Sequence, residues 1–137
     1  MKKLFVLSSL LALCIFSYGQ YAPRYLFLEH FTNTRCVLCP GPNAAFYAGL
    51  DSIPGIYHQM SVHPSVPYNN CALYLHNPVE NNARRSLYSI SATPQCYLWG
   101  QYAGAGNPLL PAAVLQSALG QQADLSIEVD QQISGLD

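Results

Sequence analysis

Leu26-Phe27-Leu28-Glu29-His30-Phe31-Thr32-Asn33-Thr34-Arg35-Cys36-Val37-Leu38-Cys39-Pro40 decides how the chain reads. Arg24 to Thr32 is short, apolar and aromatic and is bounded by Pro23 and Asn33, which predicts a buried strand. Asn33-Thr34-Arg35 reads as a turn. From Cys36 to about Ser52 the pattern predicts a helix. Pro40 and Pro42 sit near its start, where a missing N–H costs little. Ala44, Ala45, Tyr47, Ala48 and Leu50 follow, and Asp51-Ser52-Ile53-Pro54-Gly55 ends it. A helix N-terminus carries partial positive charge and stabilises a thiolate. Cys36 is therefore expected to be the exposed, reactive sulfur. Cys39, one turn on, is expected to be the shielded sulfur that resolves a mixed disulfide.

Further along, Ile56 to His63 alternates loosely and predicts a second strand. Pro64, Pro67 and Asn69-Asn70 open a long loop that runs to Pro78. Glu80 to Ile90 has helical character, with Ala83, Leu87 and Ile90 at helical spacing. Gln95 to Gly100 predicts a third strand, and Ala112 to Leu119 a last helix closed by Gly120. Strands separated by helices imply an α/β layer with some parallel pairing. Leu125-Ser126-Ile127-Glu128-Val129 alternates cleanly, as a half-buried antiparallel strand does. It is read as the start of a further β domain, with an added edge strand as the alternative.

The two ends frame this domain. Lys2 and Lys3 precede an apolar run from Leu4 to Phe16, a pattern that predicts a secretory signal peptide over 1–19. Ser17 and Gly19 are the small residues before the expected cut. Leu11-Ala12-Leu13-Cys14 keeps a lipoprotein reading open, although Leu13 is bulky where a small residue is wanted. The apolar run is short of the about 20 residues of a membrane span, and no transmembrane helix is expected in the mature chain. Residues 20–121 form the expected domain and 122–137 a linker with the first strand of the next. The mature chain keeps four arginines against seven acidic residues, a net charge near −3, and shows no basic patch for nucleic acid. Localisation is expected to be exported: periplasmic, outer-membrane-associated or secreted. In such an oxidising compartment disulfides persist. Cys36, Cys39, Cys71 and Cys96 remain after cleavage, and a structural Cys71–Cys96 disulfide is expected beside a Cys36–Cys39 bridge, with free thiols, or Cys96 as an extra partner close to the active pair, as the alternatives.

The strand Leu26–Phe31, the Cys36-Val37-Leu38-Cys39-Pro40 motif, and Thr93-Pro94 ahead of the third strand together resemble the thioredoxin superfamily over about Tyr25 to Leu119. Leu28-Glu29-His30-Phe31-Thr32-Asn33-Thr34-Arg35-Cys36-Val37-Leu38-Cys39-Pro40 is similar to the opening of the secreted, outer-membrane-associated thioredoxin-like family of Gram-negative bacteria. The resemblance implies a thioredoxin-like three-layer α/β fold with a mixed sheet, followed by further β domains. It implies thiol–disulfide exchange with protein thiols or disulfides as partners, without a cofactor, and possible association with the outer membrane. It also implies a cis Thr93–Pro94 bond beside the cysteines, with Thr93 and Pro94 shaping the groove for a partner's backbone. Three positions depart from the family pattern. Arg35 replaces an aromatic residue, Val37-Leu38 replaces a Gly-containing or polar pair, and His30 stands where many relatives hold a buried acid.

Glu29 and His30 are adjacent in a strand and so point to opposite faces. Spacing favours His30 beneath the cysteines, close to Cys39, where a neutral imidazole can move a proton. The plainer reading is a hydrogen-bonded core histidine. His63, at a strand end before Pro64, is read as structural, and Tyr97 and Trp99 as core. A four-cysteine zinc site is disfavoured, because structural zinc usually shows two close pairs and Cys71 and Cys96 are 25 residues apart. A second class of function also stays open: a secreted interaction module whose Cys36–Cys39 bridge is static.

Overall fold

The computed structural model describes residues 22–127. The expected signal peptide and cleavage site, and Glu128-Val129 of the expected last strand, lie outside the described residues. The described residues fall into two compact units, one holding 22–24 and 120–127, the other Tyr25–Leu119. In the first, β1 (Ala22–Pro23) pairs antiparallel with β6 (Gln122–Ala123), with Ala22 opposite Ala123. Leu125 and Ile127 are in no strand and stand largely exposed, so the described part of the expected Leu125–Val129 strand is not formed.

The larger unit is mixed α/β. Its elements are β2 (Leu26–Phe31), α1 (Pro40–Asp51), β3 (Tyr57–Val62), α2 (Ala72–His76), α3 (Pro78–Leu87), β4 (Gln95–Leu98), β5 (Gln101–Ala105) and α4 (Ala112–Ala118). The sheet runs β3-β2-β4-β5. β2 lies parallel to β3, with His30 opposite Ser61, and antiparallel to β4, with His30 opposite Cys96. β2 is central in the sheet and is packed on both faces, by α1 and α4 on one and by α3 on the other. Five of the six β2 residues are accordingly buried, which is why the segment reads as an apolar run and not as an alternation.

The two faces pack differently. Leu26 and Leu28 meet Phe46 and Leu50 of α1, which are one helical turn apart, together with Leu98 of β4 and Ala118 of α4. Trp99 packs against this cluster, and its indole N–H donates to the Tyr25 carbonyl at 2.8 Å. On the opposite face Phe31, Val62 and Ile90 pack with Tyr88 and Tyr97, whose rings lie 4.3 Å apart. Tyr97 and Trp99 are thus half-buried residues packed against the two core clusters, in line with the core reading.

Three elements differ from expectation. The helix after the cysteines starts at Pro40, because Asn33–Cys36 and Cys36–Cys39 form consecutive turns and Cys39 is the N-cap. The long loop contains the short α2. The third strand ends at Leu98, and Trp99-Gly100 turn the chain back into β5. Both turn residues have positive φ (49° and 79°), the conformation whose twist suits a two-residue hairpin. Gln101-Tyr102-Ala103-Gly104-Ala105 carries little strand signal of its own, so pairing with β4 decides its conformation.

Candidate active site

Cys36 and Cys39 form a disulfide with Cα atoms 5.4 Å apart. Backbone hydrogen bonds set the turn that joins them: Cys36 N–H donates to the Asn33 carbonyl at 3.0 Å and Cys39 N–H to the Cys36 carbonyl at 3.2 Å. Pro40 at the first helical position sacrifices no needed donor. Because Cys39, not Cys36, caps α1, the helix dipole acts first on the second sulfur. Neither cysteine is exposed in this oxidised form: Cys36 retains 6% of its accessible surface and Cys39 3%. The expected contrast of an open and a shielded sulfur is absent from the disulfide state. Between them Val37 and Leu38 stand open to solvent.

Thr93 touches both sulfurs. Its carbonyl oxygen lies 3.5 Å from Cys36 Sγ and its Oγ1 3.5 Å from Cys39 Sγ. The Thr93–Pro94 bond is cis, and both residues are buried. In the reduced protein the carbonyl can accept from a Cys36 thiol and the hydroxyl can donate to a Cys39 thiolate. One residue is therefore placed to serve each sulfur in a different protonation state.

Asn33 fixes the approach to the motif. Its Nδ2 donates toward the carbonyls of Pro64, Val66 and Tyr68 at 3.0, 3.2 and 2.9 Å, and its Oδ1 accepts from Arg35 N–H at 2.9 Å. The side chain is 2% exposed, so these carbonyls are satisfied by a group that the sequence presents only as a turn residue. Next to it Thr34 donates through Oγ1 to Cys71 Sγ at 3.1 Å and through its backbone N–H at 3.5 Å. Burial pushes the Cys71 thiol up. The hydrogen bonds from Thr34, and from the backbone at Tyr74 and Leu73, outweigh that and leave it below the ordinary thiol value.

The expected Cys71–Cys96 disulfide is not formed; both are buried free thiols. Cys71 precedes α2 and is held by Thr34. Cys96 lies in β4 opposite His30, within the core cluster under α1. Strand and loop thus commit the two sulfurs to different surroundings. Burial, with the Glu29 charge as the lesser cause, pushes the Cys96 thiol up to about 12. Among the described residues no three of His, Cys, Asp or Glu are grouped to hold a metal ion.

His30 and Glu29 divide as alternation requires. Glu29 faces α3, where its carboxylate takes hydrogen bonds from Arg84 Nε and the Tyr88 hydroxyl. His30 faces α1, with its ring 4.8 Å from that of Phe46. Its Nε2 lies 3.0 Å from Asn43 Oδ1 and its Nδ1 3.3 Å from the Tyr47 hydroxyl. Asn43 Nδ2 donates to Thr32 Oγ1 at 2.9 Å, so Oδ1 is the acceptor and His30 carries its proton on Nε2. Tyr47 must then donate to Nδ1, and the Tyr47 oxygen accepts from Ser61 Oγ at 3.3 Å. Burial drives the imidazole to about 4, against a smaller opposing effect of Asn43. His30 is therefore neutral and doubly engaged. Asn43 links it to Cys39, since the Asn43 backbone N–H donates to the Cys39 carbonyl at 2.9 Å.

The disulfide opens on a cleft of about 360 Å³ that Asn43, Tyr47, Ser61 and His63 also line. Sequence reasoning set His63 aside as structural, whereas the fold puts it beside the cysteines. The available signal was its place at the C-terminal end of a parallel strand, where α/β sheets gather their sites. Comparison with protein-family models, curated proteins and solved structures finds no match to this chain.

Proposed function

We propose that this protein is an extracytoplasmic thiol–disulfide oxidoreductase built on a thioredoxin-like fold, exchanging disulfides through Cys36 and Cys39. The observation that carries the reading is the Cys36–Cys39 bridge at the start of α1, with Thr93 against both sulfurs and a cleft beside them that Asn43, Tyr47, Ser61 and His63 also line. The β3-β2-β4-β5 order, with helices on both faces, supports the fold. The leader-like N-terminus supports export, with outer-membrane association following only from the family resemblance. In exchange, Cys36 attacks a partner's disulfide and Cys39 then displaces the partner from Cys36, closing the bridge. The polar groups of Thr93 stabilise the thiol and thiolate as they alternate.

Burial of both sulfurs favours a second reading, a static bridge in an interaction module. Trapping separates the two. Cys39→Ser should accumulate partner proteins as mixed disulfides on Cys36, and Cys36→Ser/Cys39→Ser should not. Failure of Cys39→Ser to trap any disulfide-bearing protein or peptide would leave the static bridge standing.

A further inference from the structure

We infer that His63 is the proton acceptor and donor for Cys39 during exchange, a role that rests on the oxidoreductase reading above. His63 lines the cleft that holds both sulfurs. Its backbone N–H is taken by Asn81 Oδ1 at 2.8 Å, which fixes the end of β3 against α3. Its side chain is not fixed in that way. Nδ1 is buried, and among the described residues it finds no hydrogen-bond partner. A buried polar atom left unpaired is costly and asks for an explanation. An unpaired acceptor is tolerated better than an unpaired donor, so the proton belongs on Nε2 and Nδ1 offers a lone pair.

Redox state supplies the missing partner. In the disulfide neither sulfur carries a hydrogen. Reduction creates two thiols in the cleft that His63 lines, new donors where Nδ1 has none. His30 is excluded from this work by its own bonds, since Nε2 donates to Asn43 and Nδ1 accepts from Tyr47. Among the described residues, the titratable groups that share the cleft with His63 or couple to it are Cys36 and Cys39 from the turns before α1, Tyr47 from α1 and His30 from β2, and α3 meets its backbone with the uncharged Asn81. Burial lowers the His63 pKa from its ordinary value, so near neutral pH the ring is uncharged and free to accept.

The step balances as follows. Cys36 thiolate attacks a partner disulfide, one partner sulfur leaves as a thiolate, and Cys36 is joined to the other. His63 takes the Cys39 proton and becomes imidazolium. The Cys39 thiolate then attacks Cys36 Sγ, the Cys36–Cys39 bond forms, and the second partner sulfur leaves, taking the proton back from His63. The protein dithiol loses two electrons and the partner disulfide gains two.

Stopped-flow reaction of the fully reduced chain with the chromogenic disulfide dithiobis-nitrobenzoate separates the two chemical steps. A first thiolate is released when Cys36 is capped and a second when Cys39 resolves the adduct. The Cys36→Ser/Cys39→Ser variant gives the background from Cys71 and Cys96. His63→Gln and His63→Ala should leave the first phase nearly unchanged and slow the second about a hundredfold near neutral pH. The gap should close at alkaline pH, where Cys39 ionises unaided, and added imidazole should speed the second phase of His63→Ala but not of wild type. A second phase unchanged in both variants would overturn the inference. So would a slowing that is equal at all pH values and indifferent to imidazole, which a merely structural role would give. A wild-type protein that releases no second thiolate would instead sink the exchange reading, and this role with it.

Discussion

Glu29 and His30 are neighbours in β2, each with almost no exposed surface, and the two faces of the sheet satisfy them by opposite means. On the α3 face the carboxylate is held by Arg84, whose side chain is itself 36% exposed, and by Tyr88, so the buried acid is tied to a cation that reaches water. On the α1 face the imidazole is kept neutral and is held by a directed chain from Ser61 through Tyr47 to His30, and on through Asn43 to Thr32. A charge clamp locks helix to sheet, and a neutral network leaves hydroxyls and an amide lining a cleft beside the sulfurs. The comparison teaches that the sulfurs, and with them the proposed exchange, lie beside the face on which proton positions are set by neighbours, not by a net charge.

The harshest way to break this comparison is Arg84→Met. It leaves Glu29 buried beside Tyr88 without its cation, and removing one partner of a buried pair costs about 3 to 5 kcal/mol. Urea unfolding should show that loss, while thiol exchange in the folded variant keeps its wild-type rate. Equal loss of exchange would mean that the two faces are not separable.

Acidification tests the other face. The folded imidazole of His30 titrates at about 4 against 6.5 when free. Between those values the unfolded chain takes up a proton that the folded one refuses. Stability from this group is therefore complete above pH 6.5 and falls as pH drops, by roughly 3 kcal/mol near pH 4. His30→Gln should flatten that part of the stability–pH curve, although it lowers stability at pH 7. An unchanged slope in the variant would move the acid sensitivity to another group.

Asn33→Ala should cost about 2 kcal/mol, because three carbonyls of the 64–68 segment lose a shared donor. It should also slow exchange, since the same residue receives the Arg35 N–H just before Cys36. A loss of stability without a loss of rate would show that the motif holds its turn unaided. Cys71→Ser should have the smallest effect, below about 1 kcal/mol, because a hydroxyl can still accept from Thr34 and the exchange pair is untouched. A large drop in rate would make Cys71 a participant.

Much of this arrangement was legible from local pattern. The apolar run Leu26–Phe31, the prolines after Cys39 and the Thr93–Pro94 pair each carry a signal in a few adjacent residues. The strand's alternation also put Glu29 and His30 on opposite faces, and spacing favoured His30 for the face beneath the cysteines. What was not legible depends on distant partners. Gln101–Ala105 becomes a strand only by pairing with β4. Asn33 matters through carbonyls more than thirty residues away. Cys71 and Cys96 were paired in expectation because an oxidising compartment favours pairing, but that preference says nothing about what surrounds each sulfur. His63 looked like a strand-end residue because nothing near it in sequence announces the cleft that α1 and β3 form around it.

The central claim is that Cys36–Cys39 is an exchange pair and not a static bridge, and its reduction potential tests that most directly. Equilibration of the folded protein against glutathione or dithiothreitol buffers, read by mass after alkylation, gives the value. Exchange activity predicts a potential above about −300 mV, within reach of cellular dithiol couples. A value well below that, with the bridge surviving buffers that reduce exchange-active pairs, would contradict the claim and make the disulfide a structural staple.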